Sequence, residues 1–492
     1  MAIWQTGSKE RISYFAQVIL FDKINEPNKK MGDKLVTEMD ENVADENKPE
    51  HQGYKIMTNL KKIQEKLKDM ESTKIFFTDL TGRIMSLPVN PKNIKMLIQK
   101  GIGFDGSSIA GYATVENSDR LLLPDPESFR VLKFSNETLG FFIGHIYNEW
   151  GMRAKADPRA VLEKVVSKAR SEHGYRFIVG PEHEFFLLTG NEFSEKRHSD
   201  KAGYFQSTPH DKGELVRNGI IKILKKCGIN FEKAHHEVTP SQHEINLEAI
   251  DPLRGADRTV LFNYVTQKVA AESDYYATFM PKPFDGYNRN ALHIHLSMQN
   301  QDGKNLFYEE GAGHNLSAIA KHFIAGILKY ARETSIIMAS NFNSYKAYVM
   351  EIEAPIIIGW GFRNRSSMIR VPYASKPENT RIELRSPDPA GNVYLQFATF
   401  IAMGIKGIEE GLKCGQPDVG STYKKYFHKR ISDKRFLPKS LFEALLEAEE
   451  SKFLNNLLGE RIYHNYLSLK IDDWEDHRIH VTPRELEKYL SV

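Results

Sequence analysis

The chain has 492 residues, 41% hydrophobic and 27% charged, with a formal net charge of +3. That length suits roughly two or three domains, and the composition is that of a globular enzyme. Charge so near balance excludes the basic footprint of a nucleic-acid or anionic-membrane binder. Two cysteines, Cys227 and Cys414, exclude a disulfide framework or a thiolate metal cluster and fit a reducing, cytoplasmic setting.

In chain order, residues 22–56 are polar and mixed in charge, so 1–56 reads as a disordered extension. Met57 is a second candidate start, and it opens the amphipathic stretch MTNLKKIQEKLKDM. From about residue 73 the text turns to short strands, with a hairpin-like Thr81-Gly82 between two apolar runs. GIGFDGSSIAGY is a Gly/Ser-rich loop. A helix then begins with Asp157 as its cap and Pro158 in its first turn. It carries Leu162, Val165, Val166 and Ala169 on one stripe and stops at Gly174. A domain boundary is placed near 150–156. Further helices are predicted over 254–275 and 312–335, and a core helix from Val393, too short in its apolar run to cross a bilayer. Thr482, Pro483 and Glu485 announce a last helix.

Between those helices lie strand-like segments rich in carboxylates and imidazoles: GPEHEFFLL, HHEVTPSQHEI, ALHIHLS and TRIELRSPDP. Residues two apart in a strand share a face. Glu182 therefore pairs with Glu184, His293 with His295, and Glu383 stands level with Arg381 and Arg385. Taken singly, each motif is more simply a solvated strand face or a turn flank. Together they concentrate like charge, which needs cations to neutralise it. Hard divalent ions with oxygen ligands answer that need, and arginines nearby suggest phosphate.

The series FDGSSIAGY, SDRLLLPD, GPEHEFFLL, HHEVTPSQHEI, ATFMPKP, HIHLS, NSYK, EAP, NRSSMIRVP and RIELRSPDP resembles type I glutamine synthetase from about residue 73 to the C-terminal helix. The resemblance implies an α+β fold. A small β-grasp domain, here 57–153, precedes a catalytic domain, here 154–492, with a curved antiparallel sheet flanked by helices. It implies a homo-oligomer, a dodecamer of two stacked hexamers, with active sites shared between neighbouring subunits. It also implies Mg2+ or Mn2+, two or more per site, and ATP as co-substrate.

By the same resemblance Glu184, Glu237 and Glu244 hold a first ion, and Glu182, His293 and Glu383 a second. Arg365, Arg370 and Arg385 face phosphate and the transition state, with His295 and Ser297 near the nucleotide. Asp105, Ser108 and Tyr204 form the ammonium pocket, Asn288 touches the acid, and Glu353 closes over the intermediate. The expected reaction is ATP-dependent amide formation from glutamate and ammonium through an acyl phosphate. Two departures qualify it: Arg289 replaces a glycine, and Ala347 replaces an arginine that grips the acid's α-carboxylate. Losing such a charge-assisted contact costs about 1.5–3 kcal/mol. Either Arg289 projects into the space and replaces the missing guanidinium, so that glutamate is still bound, or it fills part of the pocket and the enzyme is a related ligase acting on a different acid or an organic amine. The base site also departs, with Glu248 and Ala249 after HEI, and the 417–429 stretch gives no expectation of adenylylation.

Overall fold

The computed structural model describes residues 60–68, 70, 72–190, 195–348, 354–422 and 435–492. The polar 1–56 extension and Glu353 lie outside the described residues, as do residues 423–434, which take in part of the 417–429 stretch.

A helix over 60–67 precedes a sheet of six strands. These are β1 (Thr73–Thr78), β2 (Ile84–Val89), β3 (Ile102–Asp105), β4 (Asp119–Pro124), β5 (Arg130–Lys133) and β6 (Thr138–Asn148), in the order β2-β1-β6-β4-β3, with β5 also on β6. The expected hairpin joins β1 to β2. Gly82 takes φ +92° at its turn, where a Cβ would lie 2.8 Å from the Gly391 carbonyl. Only glycine meets both conditions there. β1 runs parallel to β6 through the middle of the sheet. Both faces of β1 are covered: Ile75 and Phe77 pack under the helix residues Ile63 and Leu67, while Phe76 stacks on Phe141 and meets Tyr264 of the catalytic domain.

The helix Pro158–His173 begins and ends where the sequence puts it, capped by Asp157 and closed by left-handed Gly174. Its Arg159 reaches Asp125 of β-grasp origin (2.8 Å) and Asp257 (2.9 Å), an ion cluster spanning both halves of the chain. Two helices are shorter than their apolar patterns suggest. Asp251 caps Pro252–Ala271, and Ser317 caps Ala318–Tyr330. Before Ser317, His314 and Asn315 adopt positive φ, which breaks any helix through that stretch. The Val393–Glu409 helix is nearly wholly buried, and the Thr482 capping box starts the last helix, Pro483–Tyr489. Among the described residues no helix is long and apolar enough to cross a membrane.

The catalytic sheet contains β7 (Arg176–Thr189), β8 (Arg197–His198), β9 (Phe231–His236), β10 (Gln242–Leu247), β11 (Tyr276–Thr278), β12 (Ile294–Gln299), β13 (Trp360–Phe362), β14 (Ile369–Val371) and β15 (Ile382–Leu384). Its order is β13-β14-β15-β12-β7-β10-β9, with β8 and β11 on β7. The expectation of an antiparallel sheet needs one correction: β13 and β14 pair in parallel. Three-residue strands joined by the 363–368 loop can pair either way without a long crossover helix. One large apolar core lies behind this sheet, built with the helices Pro158–His173, Pro252–Ala271 and Val393–Glu409.

Candidate functional site

Strand order decides which charged segments meet. β7 pairs with β10 so that Glu184 faces Glu244 and Glu182 faces Asn246. β12 lies on the other side of β7 and brings His295 opposite Glu383 of β15. Because side chains alternate, all of these point to one face.

That face lines a cleft of 490 Å³. Glu182, Glu184, Glu237, Glu244, His293 and Glu383, separated by up to 201 positions in the chain, all line it. Tyr204, His295, Ser297, Arg365, Arg370 and Arg385 line it too. The alternation rule also accounts for further lining residues, of which the motif reading named only Arg381. Lys233 and His235 precede Glu237 at steps of two, Asn246 follows Glu244 by two, and Arg381 precedes Glu383 by two.

The two ends of the cleft differ in charge balance. At one end, Glu383 accepts from Arg370 (2.6 Å) and from Arg385. Glu182 lies 3.0 Å from His293 Nδ1 and 3.1 Å from His295 Nε2. Arg381 Nε donates to His295 Nδ1 at 3.2 Å, which leaves Nε2 as the donor toward Glu182. Burial pushes the Glu182 and Glu383 carboxyls up, but these histidines, and Arg385 beside Glu383, hold both below the ordinary range.

At the other end, Glu184, Glu237 and Glu244 converge. Burial, and then the charges of Glu237 and Glu244, push the Glu184 carboxyl well above its ordinary value. Gln242 (2.9 Å) and the Ala291 amide (2.8 Å) donate to one Glu184 oxygen. Lys233 lies 3.2 Å from Glu244 and 3.7 Å from Glu182, but it is half exposed and counts as one charge against several.

This donor set fits divalent cations. His293 Nδ1 is within 3.0 Å of Glu182, 3.9 Å of Glu184 and 4.0 Å of Glu383, so three carboxylates surround one imidazole nitrogen. The buried Glu244 Oε1 accepts no hydrogen bond of good geometry, with only Lys233 (3.2 Å) and His235 (3.3 Å) as nearby cations. Two groups have ligand atoms within 4.8 Å of one another: Glu182, His295 and Glu383, and His235, Glu237 and Glu244. Compared with the sets implied by resemblance, His295 stands where His293 was expected and His235 where Glu184 was expected. The reason is register: His293 and Glu184 sit at the junction and face both groups.

A third group, Asp200, Asp211, His236 and His243, lies on the opposite face of the β9–β10 hairpin and is wholly buried. Its members are paired within the group and with Arg217, His243 Nε2 excepted. His236 Nε2 is 3.1 Å from Asp200, which also accepts from the Ser241 amide at 2.9 Å. Arg217 donates to Asp211 (2.6 Å) and meets His243 Nδ1 (2.7 Å). A guanidinium already fills the place of an ion, so this network braces the hairpin from behind.

Several expected residues lie elsewhere. Asp105 and Ser108 stand on the β-grasp domain, outside the cleft lining. Asp105 is exposed and accepts from Ser107 and Ser108, whose hydrogen bonds lower its pKa. Tyr204 is therefore parted from the two residues grouped with it. Asn288 does not line the cleft; its amide donates to Thr239 Oγ1 at 3.2 Å, at the hairpin turn. Arg289 does not project into the pocket either. Its guanidinium is 3% exposed and donates to the carbonyls of Arg385 and Ser386. Those carbonyls follow β15, where the ladder ends and acceptors need donors.

Comparison with known proteins agrees with this geometry. Residues 69–149 match the family model for the glutamine synthetase beta-Grasp domain, and 155–489 that for the glutamine synthetase catalytic domain. A glutamine synthetase of Methanosarcina mazei is 40% identical over 440 residues, spanning 87% of this chain and 96% of that one. One of Mycolicibacterium smegmatis is 38% identical, spanning 86% and 97%. The solved structure of a GmaS–ADP complex superposes with a TM-score of 0.79 at 27% identity, covering 87% of this chain and 99% of that one. A glutamine synthetase of Plasmodium falciparum shares the fold, with a TM-score of 0.77 at 23% identity over 88% and 98%. With nearly its whole described length matched in both domains, the chain belongs to the glutamine synthetase family.

Proposed function

We propose that this chain is an ATP-dependent acid–ammonia ligase that makes glutamine from glutamate. The observation that carries the reading is the meeting of Glu182, Glu184, Glu237, Glu244 and Glu383, three histidines and the arginines in one cleft. Phosphoryl transfer needs neutralised oxygens and in-line placement more than covalent help. Glu184, Glu237 and Glu244, with His235, would hold one Mg2+ or Mn2+, and Glu182, His293 and Glu383, with His295, another. When bound, the ions supply charge neutralisation for the phosphates and the acid.

Arg365, Arg370 and Arg385 offer planar, bidentate donors to the transferring phosphoryl group. The glutamate carboxylate attacks the terminal phosphorus, forming an acyl phosphate and releasing ADP. Ammonia then adds to the acyl carbon and phosphate leaves. Asp105, kept ionised by its serine hydrogen bonds, would hold the ammonium at the site of a neighbouring copy and take its proton as the nitrogen commits to the acyl carbon, since it lies outside the cleft of its own chain. That assignment requires a homo-oligomer, for which the family pattern is a dodecamer; the two unpaired cysteines suit a cytoplasmic setting. Ser108 shares the Asp105 loop, Tyr204 walls the cleft, Ser297 and Arg381 lie on the nucleotide side, and Glu353 closes over the acid. Arg289 neither fills the cleft nor restores the guanidinium missing at Ala347, so the preference for glutamate over another acid or amine rests on the glutamine synthetases at 38–40% identity.

Phosphate release tests the reading. The purified protein with Mg2+, ATP, glutamate and ammonium releases phosphate and forms glutamine in equal amounts. Release that requires another acid, with none from glutamate, overturns it.

A further inference from the structure

Arg289 is a buried cation outside the cleft, and its contacts fall on three separate segments. Nη1 donates to the Ser386 carbonyl at 3.1 Å and Nη2 to the Arg385 carbonyl at 2.5 Å. The guanidinium lies 5.6 Å from the ring centre of Tyr348, close enough for cation–π attraction. Tyr348 in turn donates its hydroxyl to the same Ser386 carbonyl, at 2.8 Å. The main chain of Arg289 joins in as well: its carbonyl accepts from Gln242 Nε2 (2.8 Å), the amide that also holds Glu184.

The Arg385–Ser386 turn is the exit from β15, and Arg385 donates back to Glu383 from that turn. Backbone hydrogen bonds hold the Arg385 amide to the Met368 carbonyl (2.9 Å) and the Pro387 carbonyl to the Leu292 amide (3.1 Å), which leaves the Arg385 and Ser386 carbonyls to be restrained. A planar guanidinium spanning two successive carbonyls supplies that restraint, and a lysine ammonium on a flexible stem reproduces it poorly. Tyr348 lies two residues past the helix Phe342–Lys346, so the same node restrains the chain as it leaves that helix.

We propose that Arg289 is a positioning residue that pins the Arg385–Ser386 turn against Tyr348, setting where Arg385 stands beside Glu383 for phosphoryl transfer. This rests on the ligase reading above. The alternative is that Arg289 grips the acid directly, and the two predict different kinetics.

The test compares Arg289→Met, Arg289→Lys and Tyr348→Phe with the wild type, varying ATP, glutamate and ammonium separately. Loss of positioning lowers kcat by about 10-fold or more in Arg289→Met while the KM for glutamate moves less than about 3-fold. Arg289→Lys recovers only part of kcat, and Tyr348→Phe, which keeps the ring and loses one hydroxyl, shows a smaller fall of the same kind. A KM for glutamate raised about 10-fold or more at unchanged kcat assigns Arg289 to the acid and overturns the proposal. So does wild-type kcat in Arg289→Met. Should Arg289→Met not fold, Arg289→Lys and Tyr348→Phe decide by the same split. Should the wild type lack ligase activity, the reaction assignment fails by itself. Urea unfolding of Arg289→Lys, Tyr348→Phe and the double variant then tests the node: non-additive losses support it, and strictly additive losses overturn it.

Discussion

The two faces of the β9–β10 hairpin are made by alternating residues of the same strands and behave oppositely. On the cleft face, Glu237, Glu244 and Glu184 crowd one another, and burial with like charge drives Glu184 toward its neutral form. On the core face, His236 and His243 alternate with those glutamates and end in closed pairs with Asp200, Arg217 and Asp211. One face stores unfavourable charge for a ligand to relieve, and the other keeps that hairpin rigid while it does so. Paired buried charges are costly to break, whereas crowded like charges are relieved by removal.

The largest effect expected is on the core face. Asp200→Ala leaves His236 and the Ser241 amide without their acceptor and costs about 3–5 kcal/mol in urea unfolding. Glu244→Gln, measured in chelator, leaves stability unchanged or higher. Equal losses from the two variants would erase the distinction between the faces.

Next in size is the response to ions. Mg2+ or Mn2+ at one hundred times its dissociation constant stabilises the wild type by about 2.7 kcal/mol. Glu244→Gln and Glu383→Gln lose most of that increment. Arg217→Met is less stable throughout, yet it keeps the increment, because its guanidinium serves only the core face. An ion response that survives in Glu244→Gln and Glu383→Gln places the ions elsewhere.

The dependence on pH sharpens the contrast further, since the two faces carry opposite signs. Burial raises the Asp200 carboxyl, but the His236 and Ser241 hydrogen bonds outweigh it and lower the folded pKa. Its contribution is therefore present above the ordinary Asp value of 3.8 and is lost as pH falls through the folded value. Glu184 is raised, so between its ordinary 4.5 and its higher folded value the folded state binds the extra proton. In chelator, stability from that group falls as pH rises across that window, by up to about 1.4 kcal/mol per pH unit. Glu184→Gln flattens this part of the unfolding profile and leaves the acid limb from Asp200. A profile identical to wild type would discard the crowding account.

The smallest effect belongs to Lys233, whose side chain is 46% exposed. Lys233→Met changes stability in chelator by less than about 1 kcal/mol, because solvent screens its ion pairs. A larger loss would make Lys233 a structural counter-ion of the cleft.

Much of this was readable before any fold was known. Period-two alternation placed Glu182 with Glu184 and Glu383 with Arg381 and Arg385, and it extends without change to Lys233, His235 and Asn246. Caps at Asp157 and Thr482 marked helix starts, because Asp, Thr and Pro at those positions act on adjacent backbone. The helix predicted over 312–335 overran its start for a reason the apolar pattern hides: positive φ at His314 and Asn315 is a backbone choice made by packing.

Local chemistry in the chain thus determined element type, the carboxylate-rich strand faces and, through its long motifs, the family. Those depend on residues within a turn or a strand of one another. Which strands lie side by side, and where Arg289 points, depend on groups brought together from distant segments. The order β15-β12-β7-β10-β9 alone makes one cleft from segments around 182, 244, 293 and 383. Arg289 turned from the cleft because two carbonyls at the end of β15 and the ring of Tyr348 offered it partners, and only the tertiary structure puts those partners within its reach.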